Sequence, residues 1–320
     1  MINKSHSIIF GISGFSLTAN EIDFFKKFRP WGIILFARNI NSLFQLKNLT
    51  ESIKLLFNDN RFPILIDQEG GRVNRFKKII NLDIYTAKYF GNLYETKKNY
   101  KKKFLNFLTL NSKILNYTGI NINTTPLLDL FYNNNKSIIG DRAFSKNINT
   151  VITLSKFLIN FYKKKNIVTV VKHIPGHGST NIDSHLSLPN VKLDINYLKK
   201  NDFLTFKKVH SDLAMTAHIL YSKIDKNFCA TQSKYVIDEI IRKYINFKGI
   251  LISDDISMKA LKGSVEYRAK SILNAGCNLL LHCNGIIKEM RKLSKITPVI
   301  DSFTERLTIK IKNKFNTGIC

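Results

Sequence analysis

The chain has 320 residues, 44% of them hydrophobic, and a formal net charge of +27. That length and apolar content can bury an ample core in one large α/β domain or two small ones, and they exclude a disordered chain. No apolar run reaches 18 residues, which excludes a membrane-spanning helix. The lysines are scattered, with only short runs at 101–103 and 163–165, and Asn, Ile, Phe and Tyr are abundant too. The charge therefore reads as compositional bias rather than a nucleic-acid groove; no zinc-finger spacing or aromatic–basic RNA signature accompanies it.

In chain order, the first apolar run spans 7–15 behind one lysine, Lys4, and is interrupted by Gly11 and Gly14. It reads as a buried first strand rather than a signal peptide. Short β-branched or apolar runs then recur, giving candidate strands at 7–12, 32–36, 62–66, 120–128, 167–171, 213–218, 249–252 and 278–283. The segments between them carry apolar residues at helical spacing: Leu43/Leu46/Leu49/Ile53/Leu56, Ile152/Leu154/Phe157/Ile159/Phe161 and Ile237/Ile240/Ile241/Tyr244. Ser42 is placed to start the second helix, Gly119 to end a long helical region over 87–117, and Ser264 to open a helix closing before Gly276. Residues 301–315 form one more amphipathic helix. Eight βα units predict an α/β fold, a single (β/α)₈ TIM-type barrel without a second α/β domain, as one domain over 1–320. An open doubly wound sheet is the alternative, but no glycine-rich dinucleotide fingerprint follows the first strand. The four cysteines, Cys229, Cys277, Cys283 and Cys320, lack metal spacing and read as thiols of a reducing compartment, so a cytoplasmic location is expected.

In such a barrel, chemistry sits at the C-terminal ends of the strands. Strand three ends in Ile66-Asp67-Gln68-Glu69-Gly70-Gly71-Arg72-Val73-Asn74-Arg75, and the fourth connection holds Ile139-Gly140-Asp141-Arg142-Ala143-Phe144. Strand five ends in Lys172-His173, strand six in Met215-Thr216-Ala217-His218 and strand seven in Ser253-Asp254-Asp255. For any one of these groups a salt bridge or helix cap is an adequate explanation; their joint placement at one mouth is what signals a site. Asp67 with Arg75, Arg142, Lys172 and His173 suits a neutral, hydroxyl-rich ligand, because a carboxylate accepts from paired hydroxyls while cations donate to oxygen. Asp254, at the end of a buried strand, can be held rigidly as a nucleophile. Covalent glycosyl transfer also needs a proton donor on the other face of the sugar. Asp183-Ser184-His185 offers one: Asp183 bonded to the imidazole would orient His185 and raise its pKa. Pro175 and Gly176 separate His173 from His177, so the two cannot share a helix face as a zinc pair would. His177 and His218 read as supporting residues.

These blocks resemble glycoside hydrolase family 3, and within it the bacterial cytoplasmic β-N-acetylglucosaminidases. The resemblance runs from Gly32-Ile33-Ile34-Leu35-Phe36 through the Asp67, Arg142, Lys172 and His218 blocks quoted above, the turn Pro175-Gly176-His177-Gly178 and Asp183-Ser184-His185. It ends at Ser257-Met258 and Ala275-Gly276-Cys277. It implies retaining hydrolysis in which Asp254 attacks the anomeric carbon and His185, partnered by Asp183, protonates the leaving oxygen and later activates water. Asp67, Arg75, Arg142, Lys172 and His173 would hold a terminal N-acetylglucosamine. The implied substrate is N-acetylglucosamine β-linked to 1,6-anhydro-N-acetylmuramic acid, with or without peptide, in cell-wall recycling. A monomer is expected, with no metal, organic cofactor, specific nucleic acid or membrane partner. Ile174 departs from the Phe common in the family, and Ala143 from Ser. The alternatives are a β-glycosidase or phosphorylase of another sugar, and a non-catalytic sugar- or polyanion-binding barrel.

Overall fold

The computed structural model describes residues 4–132, 138–180 and 188–315. Eight parallel strands close a barrel: β1 (His6–Gly11), β2 (Pro30–Leu35), β3 (Ile64–Ile66), β4 (Ile122–Asn123), β5 (Val168–Ile174), β6 (Leu213–Thr216), β7 (Ile250–Asp255) and β8 (Leu279–His282). Each pairs with its sequence neighbours, and β8 returns to β1 through Ile8↔Leu280, Ile9↔Leu281 and Phe10↔His282. Every residue of β2 and β5 is buried. Continuous burial follows from the architecture: one strand face packs on helices and the other fills the barrel, so hydrophobic runs replace alternation. The apolar run near the N-terminus is thus a barrel strand.

The interior is filled by Ile9, Trp31, Ile34, Leu65, Ile122, Val170, Met215, Ile252 and Leu281, joined by Ile311 and Phe315 from the C-terminal end. The helix Ser302–Lys312 closes the end of the barrel where the strands begin, and Trp31 donates through Nε1 to Thr308 Oγ1 at 2.7 Å. The opposite end is left to the site.

Local signals account for most boundaries. Ser42 caps Leu43–Leu56 by accepting from the Gln45 amide, and Ser264 caps Val265–Ala275 by accepting from that of Tyr267. Gly276 ends the latter helix at φ 111°, a conformation open to glycine. Three expectations need correction. The helical region over 87–117 is two helices, Ala87–Glu95 and Tyr100–Tyr117, because the polar segment Thr96-Lys97-Lys98-Asn99 has nothing to bury and turns left-handed at Lys97 and Asn99. The strand expected over 120–128 keeps its regular ladder only at Ile122–Asn123, since Pro126 has no N–H to donate; Leu127 rejoins β5 opposite Lys172. The stripe of the helix Ile148–Lys163 is Val151, Leu154, Leu158 and Tyr162, with Ile152, Phe157, Ile159 and Phe161 only half-buried at its flanks. A two-residue pairing of Asn190–Val191 with Leu220–Tyr221 lies outside the barrel and was too short to read from sequence.

Candidate active site

At the C-terminal end of the strands, a cavity of about 130 Å³ is lined by Asp67, Arg75, Arg142, Lys172, His173, His177, Asp254, Asp255 and Cys283, with Phe36 and Met258 as apolar walls. All five expected sugar-binding residues and the expected nucleophile therefore meet in one place. Asp183 and His185 lie outside the described residues.

The first part of the site is built by the turn after β3. Gly70 sits at φ 93°, and a Cβ there would fall 2.4 Å from the Tyr85 carbonyl oxygen, so the chain can fold back only with glycine at this point. The turn brings Arg75 Nη2 to 2.6 Å from Asp67 Oδ2, while the Arg75 amide donates to Gln68 Oε1 at 2.7 Å. Arg75 also lies over the Phe36 ring at 5.3 Å. Lys172, projecting from β5 and only 2% exposed, pairs with Asp67 and, at 2.6 Å, with Glu69. Glu69 in turn receives Arg142 in a fork, Nε at 2.8 Å and Nη2 at 2.7 Å. Thr124 Oγ1 completes the set by donating to Asp67 at 2.8 Å.

The electrostatics follow from this packing. Burial alone would raise the Asp67 carboxyl, but Lys172, Arg75 and Arg142 overcome it and hold the group well below the usual carboxylate range. Arg142 is held above its ordinary value, because the attraction of Glu69 outweighs burial. Asp67 and Arg142 are therefore held in their charged forms, and neither can rotate away without leaving a buried charge unpaired.

The second part hangs on Asp129, a residue sequence reasoning missed. Its buried carboxylate accepts from His173 Nδ1 at 2.7 Å and from the His177 amide at 2.7 Å. Burial pushes this carboxyl up, but the two histidines more than reverse it. A carboxylate at Nδ1 fixes that nitrogen as the protonated one, which leaves Nε2 of the cavity-lining His173 as the acceptor. His177 packs edge-on to the His173 ring at 5.5 Å. Burial, reinforced by His173, lowers it to about 4, so it is neutral at pH 7.

The third part separates two adjacent aspartates. Asp255 accepts from Ser257 Oγ at 2.6 Å, from the Ser257 amide at 3.0 Å and from the Cys283 amide at 3.2 Å, which commits it to holding the loop. Asp254 lines the cavity and is braced by the Asp255 amide at 2.8 Å. His218 is buried, bonded to Thr231 Oγ1 at 2.8 Å and to the Asp255 carbonyl at 3.1 Å. Burial lowers its pKa, which makes it a neutral support, as expected.

Two of the missed residues had a signal. Asp67 and Glu69 are two apart, and an extended chain points such residues the same way. Asp129 is a lone acid between Leu128 and Leu130, just past the strand expected over 120–128, where an uncompensated charge would be costly.

A barrel presenting ionised carboxylates, cations and histidine at its C-terminal mouth is the architecture of a large class of barrel enzymes. Residues 17–311 match the glycosyl hydrolase family 3 N-terminal domain. The β-hexosaminidase of Psychromonas ingrahamii is 34% identical over 96% of this chain and 92% of its own length, and that of Methylobacillus flagellatus is 34% identical over 87% and 80%. Among solved structures, NagZ from Neisseria gonorrhoeae in complex with N-trifluoroacetyl-D-glucosamine superposes with a TM-score of 0.87 at 29% identity, covering 98% of this chain and 91% of that one. The chain belongs to glycosyl hydrolase family 3, and its relatives place it among the β-hexosaminidases of that family.

Proposed function

We propose that this β-hexosaminidase removes a terminal β-linked N-acetylglucosamine by a retaining, two-step mechanism. Asp254 attacks the anomeric carbon to form a glycosyl-aspartate. His185, oriented by Asp183, gives its proton to the departing oxygen and then takes one from water, so that aspartate leaves and the sugar is released. Asp67 accepts from sugar hydroxyls, while Arg75, Arg142, Lys172 and the Nε2 of His173 meet its remaining oxygens. The natural substrate in this reading is N-acetylglucosamine linked to 1,6-anhydro-N-acetylmuramic acid, with or without peptide, turned over by a monomer in cytoplasmic cell-wall recycling. That a relative was solved with a glucosamine derivative supports an amino sugar as the occupant. No described helix is long and apolar enough to cross a membrane.

The observation that carries the reading is that Asp254, at the end of β7 and braced by the Asp255 amide, lines the same cavity as Asp67, Arg75, Arg142, Lys172 and His173. Replacing Asp254 with Ala is expected to lower hydrolysis of an aryl β-N-acetylglucosaminide by about 10³-fold or more. A 5-fluoro-N-acetylglucosaminyl donor should add one sugar mass to the wild-type protein, on a peptide containing Asp254. Full activity in the alanine variant, or a label on another residue, would refute the assignment.

A further inference from the structure

Asp202 is a buried carboxylate that the mechanism above does not use. It is 1% exposed and opens the helix Asp202–Lys208, yet it does not cap that helix. Its Oδ2 accepts from Ser179 Oγ at 2.8 Å and from Tyr132 OH at 3.1 Å, while Oδ1 has no hydrogen-bond partner among the described residues. The two donors come from different connections. Ser179 lies four residues before Asp183 in the chain that leaves β5, and Tyr132 lies in the connection that leads on to Arg142. One carboxylate therefore ties the stems of both connections.

The surroundings are shaped for this contact. A Cβ on Gly176 would fall 2.7 Å from Asp202 Cβ, so only glycine lets the turn after β5 settle on the carboxylate. Tyr221 OH holds the Gly176 carbonyl from the far side, and its ring packs edge-on to Phe203 at 5.6 Å. A Cβ on Gly178 would fall 2.3 Å from the Leu130 carbonyl oxygen, which seats the same turn on the segment that leads to Tyr132. The path 176–179 is thus fastened at three points, by Tyr221 at Gly176, by Asp129 at His177 and by Asp202 at Ser179, and of these only Asp202 also reaches Tyr132. Burial raises the Asp202 carboxyl to about 6, against the stabilising pull of Ser179 and Tyr132. A buried carboxylate with an unbonded oxygen is poor at adding stability, so its presence here points to another use.

We infer that Asp202 is a positioning residue for acid–base catalysis: through Ser179 and Tyr132 it holds the stem at 176–179, from which the sequence continues to Asp183 and His185. The inference rests on the assignment of His185 as the acid. Its signature is a dependence on the leaving group, because a misplaced acid matters most when the departing oxygen needs its proton.

The test compares a dinitrophenyl β-N-acetylglucosaminide, whose leaving group needs little protonation, with an alkyl β-N-acetylglucosaminide, which needs much. For Asp202→Ala and for the milder Ser179→Ala, kcat on the alkyl glycoside is expected to fall at least about tenfold, and on the dinitrophenyl glycoside less than about threefold, with KM little changed. Asp202→Asn should restore most of the loss, since an amide can accept from one hydroxyl and donate to the other. Equal losses on both substrates, or none in Ser179→Ala, would overturn the inference. His185→Ala, run in parallel, separates the two layers. If that variant shows the leaving-group dependence and the Asp202 and Ser179 variants do not, the positioning role fails and the acid assignment stands. If His185→Ala itself shows none, the acid assignment fails first.

Discussion

At the scale of single residues, the site depends on charges that are buried in pairs. In the proposed reading His173 meets a sugar oxygen, which requires its ring in one orientation and one tautomer, and the bond from Nδ1 to Asp129 favours both. Replacing Asp129 with Asn keeps the shape but removes the charge, a loss of about 1.5–3 kcal/mol for a charge-assisted bond, or roughly 10- to 100-fold in kcat/KM. Steady-state kinetics on an aryl β-N-acetylglucosaminide would check it, and a change under twofold would show that Asp129 serves packing alone.

Two buried groups also make stability depend on pH, in opposite senses. His177 is held at about 4, below its ordinary value near 6.5, so its contribution is fully present above pH 6.5 and is lost as pH falls through 4. Asp202 is raised to about 6 from an ordinary 3.8, so its contribution is present below 3.8 and is lost as pH rises through 6. Urea midpoints of His177→Gln should therefore fall less than those of wild type between pH 6.5 and 4. Midpoints of Asp202→Asn relative to wild type should improve between pH 4 and 7. A wild-type-like slope in either variant would contradict the environment described for that residue.

At the scale of elements, the turn after β3 shows how backbone geometry places chemistry. Gly70 at φ 93° reverses the chain within van der Waals range of the Tyr85 carbonyl, and Arg75 reaches Asp67 only because of that reversal. Gly70→Ala both strains the backbone and drives the turn outward, so KM is expected to rise at least about tenfold, by analogy with sites where small misplacements of positioning groups are costly. Circular dichroism on the same sample distinguishes this from unfolding. The helix caps are a milder case. Ser42→Ala and Ser264→Ala should each cost about 1 kcal/mol in chemical denaturation, with activity unchanged.

These elements were also the most legible part of the chain. Eight apolar runs became eight barrel strands because a parallel barrel buries both faces of every strand, which leaves an uninterrupted hydrophobic signature. Ser42, Ser264 and Gly276 marked real ends because caps satisfy backbone groups from within a few residues. The break inside 87–117 was hidden because Lys97 and Asn99 carry no hydrophobic signal and ordinarily suit a helix surface. The stripe of Ile148–Lys163 was misjudged in phase for a related reason. Apolar residues surround that helix, and only the packing of its neighbours decides which of them face inward.

At the scale of the whole molecule, the C-terminal helix Ser302–Lys312 is a plug as much as an appendage. Ile311 and Phe315 belong to the barrel interior, and Thr308 satisfies the indole of the fully buried Trp31. Ending the chain at Asp301 would open one end of the barrel to water and strand a buried N–H. The shortened protein is expected not to fold cooperatively, and the thermal transition of the truncated chain would test this.

By itself the sequence determined the repeat of strand and helix, and hence the barrel. It also determined which residues stand at strand ends, because those properties are written in local periodicity and in short motifs. Asp67, Arg75, Arg142, Lys172, His173 and Asp254 could be named as a set on that basis, and one cavity holds them all. Tertiary structure decided how the charges are apportioned: that Lys172 is shared between Asp67 and Glu69, that His173 leans on Asp129, and that Asp255 accepts from the Cys283 amide. It also decided that Asp202 reaches across to Ser179 and Tyr132. Such partnerships join residues tens of positions apart, and their strength comes from exclusion of water, a property of the closed barrel that no short stretch of chain possesses.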